Sequence, residues 1–206
     1  QVLTDYGKSL LEGIATASAD TLSTPVFQRR RDAFLGLILD LDRLLGTNRI
    51  FRLGNWTETA RRAATEIQGY DAATQDWMEL DNARTLITTW GDEGPCEQGG
   101  LRDYSYREWE GMLRDFYYPR WKYWFDHGMN APQGGWFATE WNWAHETGLP
   151  VGANVKGETG KAAQRRFYSP QPEGDSYTVA AELLRKYTIP SICPDGSRAF
   201  FYHLLP

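Results

Sequence analysis

Apolar residues recur every three or four positions through most of this 206-residue chain, which is the spacing that places them on one face of a helix. Polar and charged residues occupy the positions between them. The pattern predicts six helices, over 2–19, 25–46, about 55–69, 71–90, 103–127 and 175–187. A seventh short helix is predicted within WFATEWNWAHE.

Helix-start signals support these boundaries. Thr24 followed by Pro25 combines a capping hydroxyl with a proline in the first turn. Asn55, with Glu58 three residues later, has the capping-box pattern, and Asp71 is positioned to cap the helix that follows. These signals predict separate helices joined by short connections.

Other stretches interrupt the helical pattern. The loop GDEGPCEQGG separates two predicted helices, and Pro119 should kink or divide the second of them because it lacks a backbone donor. The tail from Ser191 has a Pro-Asp-Gly-Ser turn between two β-prone runs. We therefore predict an all-α bundle or array over 1–188, with a short extension over 189–206 that forms at most a small β-hairpin.

Composition excludes several classes of partner. The formal net charge is −5, whereas a nucleic-acid-binding protein would carry a basic surface. We expect no nucleic-acid partner and no membrane span, since the most apolar helix is interrupted by Asp40 and Asp42. Cys96 and Cys193 are too few for a disulfide framework, and whether they pair stays open.

No motif in the chain predicts catalysis. His145-Glu146 lacks the second histidine of a zinc protease motif, because position 149 is leucine. Acid pairs that include Glu79, Glu110 and Glu140 carry no specific spacing, and we expect them to face solvent on amphipathic helices. We predict no catalytic residue, no metal site and no cofactor in this chain.

Aromatic residues border the Gly-rich loop. Trp90 closes one predicted helix, and Tyr104 opens the next, with Leu101 between them. Aromatic faces pack against the CH face of a pyranose, although large aromatics more often fill spaces between helices. Both interpretations are compatible with these residues alone.

Several segments together resemble the C-terminal helical domain of α-N-acetylglucosaminidases, glycoside hydrolase family eighty-nine. The order Asn82, Thr89-Trp90-Gly91, acidic loop, Asp103-Tyr104 and Tyr118-Pro119-Arg120-Trp121 is the one found in that family. Further similarity lies in LDRLLGTNRIFRLGNWTETARR and PEGDSYTVAAELLRKY. The resemblance covers residues 1 to about 188.

The resemblance implies that the chain is part of a larger, extracytoplasmic enzyme, lysosomal in animals and secreted or periplasmic in bacteria. Family members remove terminal α-linked N-acetylglucosamine, from heparan sulfate or host glycans, with retention of configuration. Their two catalytic glutamates lie in a TIM-like barrel upstream of this domain. The absence of Met at the first position also led us to expect a piece of a longer protein.

The resemblance further implies that this domain packs on the barrel and walls the sugar pocket with Trp90, Leu101 and Tyr104. Asp103 would hold the loop or Tyr104 in place. The acidic loop is longer than the usual family connection, and 128–165 resembles an insertion of some bacterial relatives. The alternatives are a free-standing carbohydrate-binding or interaction module, and a helical enzyme that uses acids such as Glu79 or Glu108.

Overall fold

We describe the protein from a computed structural model, which covers residues 2–15, 24–90, 101–102, 107–127, 140, 143–144 and 167–188. Its helices are α1 (Val2–Ala15), α2 (Pro25–Gly46), α3 (Leu53–Gln68), α4 (Ala72–Trp77), α5 (Thr85–Thr88), α6 (Tyr118–His127) and α7 (Ser176–Thr188). A 3-10 turn spans Arg49–Phe51, and π-helical segments span Met78–Arg84 and Leu113–Tyr117. Two short strands, β1 (Thr89–Trp90) and β2 (Leu101–Arg102), form an antiparallel pair.

The predicted all-α class is confirmed. The short β1–β2 pair lies within the chain, not at its end, and was not predicted. The predicted C-terminal hairpin lies outside the described residues and stays a prediction, as does most of the helix predicted in WFATEWNWAHE. None of the described helices is long and apolar enough to span a membrane.

Three of the predicted helix starts are confirmed by side-chain caps. Thr24 Oγ1 accepts a hydrogen bond from the Phe27 amide at 3.3 Å, and Asp71 Oδ1 accepts one from the Thr74 amide at 2.9 Å. Asp175 caps α7 in the same way, through the Thr178 amide at 2.8 Å. Each cap satisfies an amide that the first helical turn leaves without a partner.

The predicted start of α3 at Asn55 is wrong. The helix begins at Leu53, and its N-cap Arg52 makes no capping hydrogen bond with its side chain. Instead, the Leu53 amide donates to the Glu110 carbonyl at 3.1 Å. A backbone group from a distant segment therefore takes the place of the local cap that the sequence predicted.

The two longest aromatic helices are more irregular than predicted. The 71–90 helix changes to π-helix over Met78–Arg84 and ends at Thr88, two residues before the predicted end. In the second, the described helical structure begins only near Met112, and a π-helical segment leads into α6 at Tyr118. The predicted division at Pro119 is confirmed, since this residue lies at the junction of the two helix types.

The core is built around α2. Phe34 packs edge-on against both Trp121 and Phe125 of α6, with ring centroids 5.1 and 5.8 Å apart. On another side of α2, Leu37 is buried with Val179 and Leu183 of α7. Because α2 contributes to both clusters, it holds the N-terminal and C-terminal parts of the domain together.

The segment that precedes α7 crosses the beginning of α3 at very close range. A Cβ atom added at Gly54 would lie 2.3 Å from the carbonyl oxygen of Ser169 and 2.4 Å from that of Tyr168. Any larger residue would therefore collide with backbone. Gly36 in α2 is the opposite case, because a Cβ added there would meet nothing within 4 Å.

These two helical glycines should respond oppositely to alanine. We expect Gly54→Ala to lower the free energy of unfolding by about 1–3 kcal/mol, because the crossing backbone must move. Gly36→Ala should raise it by about 0.5–1 kcal/mol, because it removes only the entropic cost of a helical glycine. Denaturant titration of both variants measures the difference, and equal effects would contradict the close crossing at Gly54.

Candidate functional site

The β1–β2 ribbon brings together two of the four predicted site residues. Trp90 pairs directly with Leu101, and Thr89 pairs with Arg102. The sequence pattern predicted that Trp90 ends a helix. This prediction is wrong, because Trp90 lies in an extended strand. Asp103 and Tyr104 lie outside the described residues, so their placement beside the ribbon stays a prediction.

The outgoing strand β1 follows directly from a buried helical turn. Ile87 and Thr88 are both buried, and Thr88 is the last residue of α5. The Thr88 hydroxyl donates to the carbonyl oxygen of Arg84 at 2.8 Å. Residue 88 is therefore fixed both by packing and by a hydrogen bond, one residue before the ribbon begins.

Arg84 is fully buried, four residues before the end of α5, and has several partners. Its guanidinium donates to Glu79 Oε1 from Nε at 3.2 Å and from Nη2 at 3.1 Å. Its Nη1 donates to the Trp143 carbonyl at 2.9 Å. The same guanidinium lies 5.3 Å from the Trp143 ring and 5.2 Å from the Tyr168 ring. The ion pair with Glu79, the hydrogen bond to a backbone carbonyl and the two aromatic faces together compensate the loss of solvation of the buried charge.

A chain of hydrogen bonds continues from this cation to the π-helical segment Leu113–Tyr117. Trp143 Nε1 donates to the Tyr168 hydroxyl at 2.9 Å, and that hydroxyl donates to Asp115 Oδ2 at 2.9 Å. Burial, with the nearby Asp115 carboxylate, raises the pKa of Tyr168 above its usual range. Tyr168 is therefore a neutral donor at neutral pH. We call Glu79, Arg84, Trp143, Tyr168 and Asp115 the buried base.

The returning chain after β2 is held by a second group of buried charges. The Glu110 amide donates to the Phe51 carbonyl at 2.8 Å, and the Gly111 amide donates to Asp42 Oδ1 at 2.7 Å. Arg52 Nε lies 3.5 Å from Glu110 Oε2, which accepts no hydrogen bond. The residue before β1 and the residues at 110–111 are thus all attached to the core.

Comparison with known proteins identifies the architecture that carries this ribbon. A protein-family model described as the C-terminal domain of α-N-acetylglucosaminidase matches residues 1–186. The chain belongs to this family. The resemblance inferred from the sequence motifs is therefore confirmed.

Individual relatives agree with this assignment. Human α-N-acetylglucosaminidase is 28% identical over 151 residues, which are 73% of this chain and 18% of the human protein. A family 89 glycoside hydrolase from Clostridium perfringens, solved with 2-acetamido-1,2-dideoxynojirimycin, is 29% identical with a TM-score of 0.69. That match covers 93% of this chain and 20% of the bacterial one.

A further structure shows the same bacterial enzyme, with two glutamates changed to glutamine, in complex with its substrate GlcNAc-α-1,4-galactose. It is 30% identical with a TM-score of 0.68, and the match covers 90% of this chain and 20% of that one. The domain thus spans about a fifth of the length of the relatives it matches.

Three acids that we expected on solvent-facing helix surfaces are buried in this α-N-acetylglucosaminidase domain, and that expectation is wrong. Glu79 and Glu140 are 2% and 1% exposed, and Glu110 is 7% exposed. Glu79 pairs with Arg84, Glu140 with Arg120, and Glu110 with Arg52. Sequence pattern could not reveal this, because Arg52 and Arg120 come from other segments of the chain, and the Glu79–Arg84 pair depends on a π-helical segment that was not predicted.

The segment that resembled an insertion contributes to the core of the domain. Of its residues, the structure describes Glu140, Trp143 and Ala144, and all three are buried. Trp143 packs against Phe116 with ring centroids 5.1 Å apart, besides its contacts in the buried base. These three residues therefore have a structural role in this chain. Among the described residues, no group of three metal-ligating side chains occurs.

The two buried carboxyls of the returning chain have altered ionisation. Burial raises the pKa of Glu110 above the ordinary 4.5, and the charge of Arg52 offsets this only in part. Burial likewise raises the pKa of Asp42 above 3.8, against hydrogen bonds from the Gly111 and Arg114 amides. The folded state therefore binds protons at both sites more tightly than the unfolded chain does.

Glu110→Gln should flatten the pH dependence of stability. With a raised folded-state pKa, Glu110 makes the free energy of unfolding fall as pH rises from the unfolded value of 4.5 through the folded value. Glutamine removes this contribution and leaves that of Asp42. Thermal midpoints of both proteins between about pH 4 and pH 8 measure the effect. Parallel curves would contradict it, and Glu58→Gln, on the surface of α3, controls for loss of a charge.

Proposed function

We propose that this chain is the helical C-terminal domain of a retaining α-N-acetylglucosaminidase that removes terminal α-linked N-acetylglucosamine from glycans. The observation that carries the proposal is the family match over residues 1–186. The bacterial relative binds GlcNAc-α-1,4-galactose as its substrate. The chemical class of the substrate is therefore a glycan that ends in α-linked N-acetylglucosamine.

The catalytic carboxyls are proposed to lie outside this chain. Retaining hydrolysis uses two carboxyl groups about 5 Å apart, one as nucleophile and one as acid and base. Here each of the buried glutamates is paired with an arginine, and we assign these pairs a structural role. The domain corresponds to about a fifth of the bacterial enzyme, so the remaining four fifths can supply the catalytic barrel.

The ribbon is proposed to wall the sugar pocket. Directly opposed residues of an antiparallel pair lie on the same face of the ribbon, so positions 90 and 101 share one face. A tryptophan and a leucine there supply an apolar surface suited to the CH face of a pyranose. In this proposal Tyr104 extends the wall, and Asp103 positions the loop or bonds a sugar hydroxyl.

Exposed apolar side chains mark the face that would contact the barrel. Ile50 is 73% exposed, and Phe51, Trp56, Leu86 and Phe167 are all exposed as well. Trp56 donates from its indole nitrogen to the Ala83 carbonyl at 2.7 Å. This bond places Trp56 beside the π-helical segment Met78–Arg84. Exposed apolar groups close to a binding site are typical of an interface with another domain.

Two finer features follow from the same proposal. The natural glycan would be of the heparan-sulfate type or a host glycan, and the enzyme would act outside the cytoplasm. Both are proposed from the family resemblance, and the names of the human and clostridial relatives give the glycosidase activity alone. The second candidate function is a free-standing carbohydrate-binding module, for which the same ribbon would have to bind sugar without a barrel.

Trp90→Ala in the full-length enzyme should weaken substrate binding. We expect kcat/KM for a chromogenic α-N-acetylglucosaminide to fall about tenfold or more, because an aromatic wall that orients the sugar is lost. Tyr177→Ala is the control, since this tyrosine of α7 is 83% exposed and no part of the ribbon. Unchanged kinetics for Trp90→Ala would sink the pocket-wall proposal.

The isolated 206-residue chain should show no hydrolysis of that substrate, whereas the full-length enzyme should show turnover. Turnover by the isolated chain would overturn the assignment of the catalytic acids to another domain. Calorimetric titration of the chain with N-acetylglucosamine separates the two candidate functions. Clear binding by the chain alone would favour the free-standing module.

A further inference from the structure

We infer that Glu79, Arg84 and Thr88 are positioning residues, which set the direction of β1 and thereby the placement of Trp90 against the substrate. The inference rests on the proposed function, because it concerns the same pocket wall. None of the three residues belongs to the ribbon, and all three are buried. They would act on the reaction through the backbone of residues 88–90.

The π-helical segment Met78–Arg84 brings the side chains of Glu79 and Arg84 together. Glu79 and Arg84 are five residues apart, and in an α-helix, with 3.6 residues per turn, their side chains would diverge by roughly 140°. In a π-helix residue i+5 lies one turn above residue i, since the hydrogen bonds run between those positions. The segment Met78–Arg84 contains both residues, and Arg84 Nη2 lies 3.1 Å from Glu79 Oε1.

The ion pair is connected to the ribbon by one buried hydrogen bond. Arg84 cannot shift without moving its carbonyl oxygen, which accepts from Thr88 Oγ1 at 2.8 Å. Thr88 and Arg84 are both 0% exposed, so neither has room to compensate by moving into solvent. The next residue, Thr89, is already in β1 and pairs with Arg102.

The remaining contacts of Arg84 keep it in one orientation. Its Nη1 donates to the Trp143 carbonyl, and the rings of Trp143 and Tyr168 both lie within 5.3 Å of its guanidinium carbon. These partners come from two other segments of the chain, and Tyr168 is further tied to Asp115. Because the planar guanidinium has partners on several sides, its orientation is fixed by the core. The hydrogen bond from Thr88 to the Arg84 carbonyl then fixes the start of β1 relative to the core.

A matched pair of threonines tests this inference in the full-length enzyme. Thr88→Val removes only the hydroxyl that bonds the Arg84 carbonyl. Thr57→Val removes a similar buried hydroxyl, which bonds the Leu53 carbonyl at 3.4 Å within α3 and has no hydrogen bond to the described residues just before β1. For each variant we would measure the thermal midpoint, KM and kcat, and the inhibition constant of 2-acetamido-1,2-dideoxynojirimycin.

We expect Thr88→Val to raise the inhibition constant and KM by at least about threefold, as a displaced wall would. Thr57→Val should lower the thermal midpoint by a similar amount and leave the inhibition constant unchanged. An unchanged inhibition constant in Thr88→Val, or an equal rise in both variants, would overturn the inference. If Trp90→Ala itself leaves kinetics unchanged, the pocket-wall part of the proposed function fails, whatever Thr88→Val does.

A second pair covers the case in which Thr88→Val does not fold. Glu79→Gln keeps the shape of the side chain and one acceptor for Arg84 but removes the charge. Asp40→Asn is the control, because it removes the charge of an acid in α2 that is distant in sequence from the ribbon. Asp40 Oδ2 accepts a hydrogen bond from the Tyr187 hydroxyl at 2.5 Å. Only Glu79→Gln should raise the inhibition constant. Equal constants for these two variants would overturn the inference.

Discussion

The buried guanidinium of Arg84 is the group on which the ribbon side of this domain depends. A charge that leaves water loses a large solvation energy, and the loss is recovered only where partners surround it. Glu79, the Trp143 carbonyl and two aromatic faces supply those partners. Segments that are distant in the sequence must meet at one point, and Arg84 at that point is joined by a hydrogen bond to Thr88, the residue before β1.

The other buried charges act in the same way at other junctions. Arg52 donates to the carbonyl oxygens of Gly46 at 2.9 Å and Ser169 at 2.8 Å, and it pairs with Glu173. It thereby joins the end of α2, the start of α3 and the segment before α7. Removing one partner of such a group costs about 3–5 kcal/mol, because it leaves the other charge buried and unpaired. This cost favours one arrangement of helices over the alternatives.

The position of the ribbon suggests why a glycosidase would carry a helical domain of this kind. A pocket wall has to be held rigidly if it is to orient a sugar, and a loop on its own holds side chains poorly. Here β1 follows directly from a buried helical turn, and the chain that comes after β2 is anchored at Glu110. In the proposed enzyme, the core of this domain would support a short surface that another domain uses.

Local sequence signals determined the helices and most of their ends. Thr24, Asp71 and Asp175 begin helices because a side-chain oxygen next to an unpaired amide needs no distant partner, and Gly69 ends α3 because its φ of 63° favours glycine. The family motifs around Trp90 likewise identified the domain and two residues that the ribbon pairs. Tertiary structure alone decided the π-helical segments, the early end at Thr88 and the burial of Glu79, Glu110 and Glu140. The burial of Glu110 and Glu140 depends on arginines that folding brings from elsewhere in the chain, and the burial of Glu79 depends on the π-helical segment that brings Arg84 beside it. A pattern of apolar spacing contains no information about such partners.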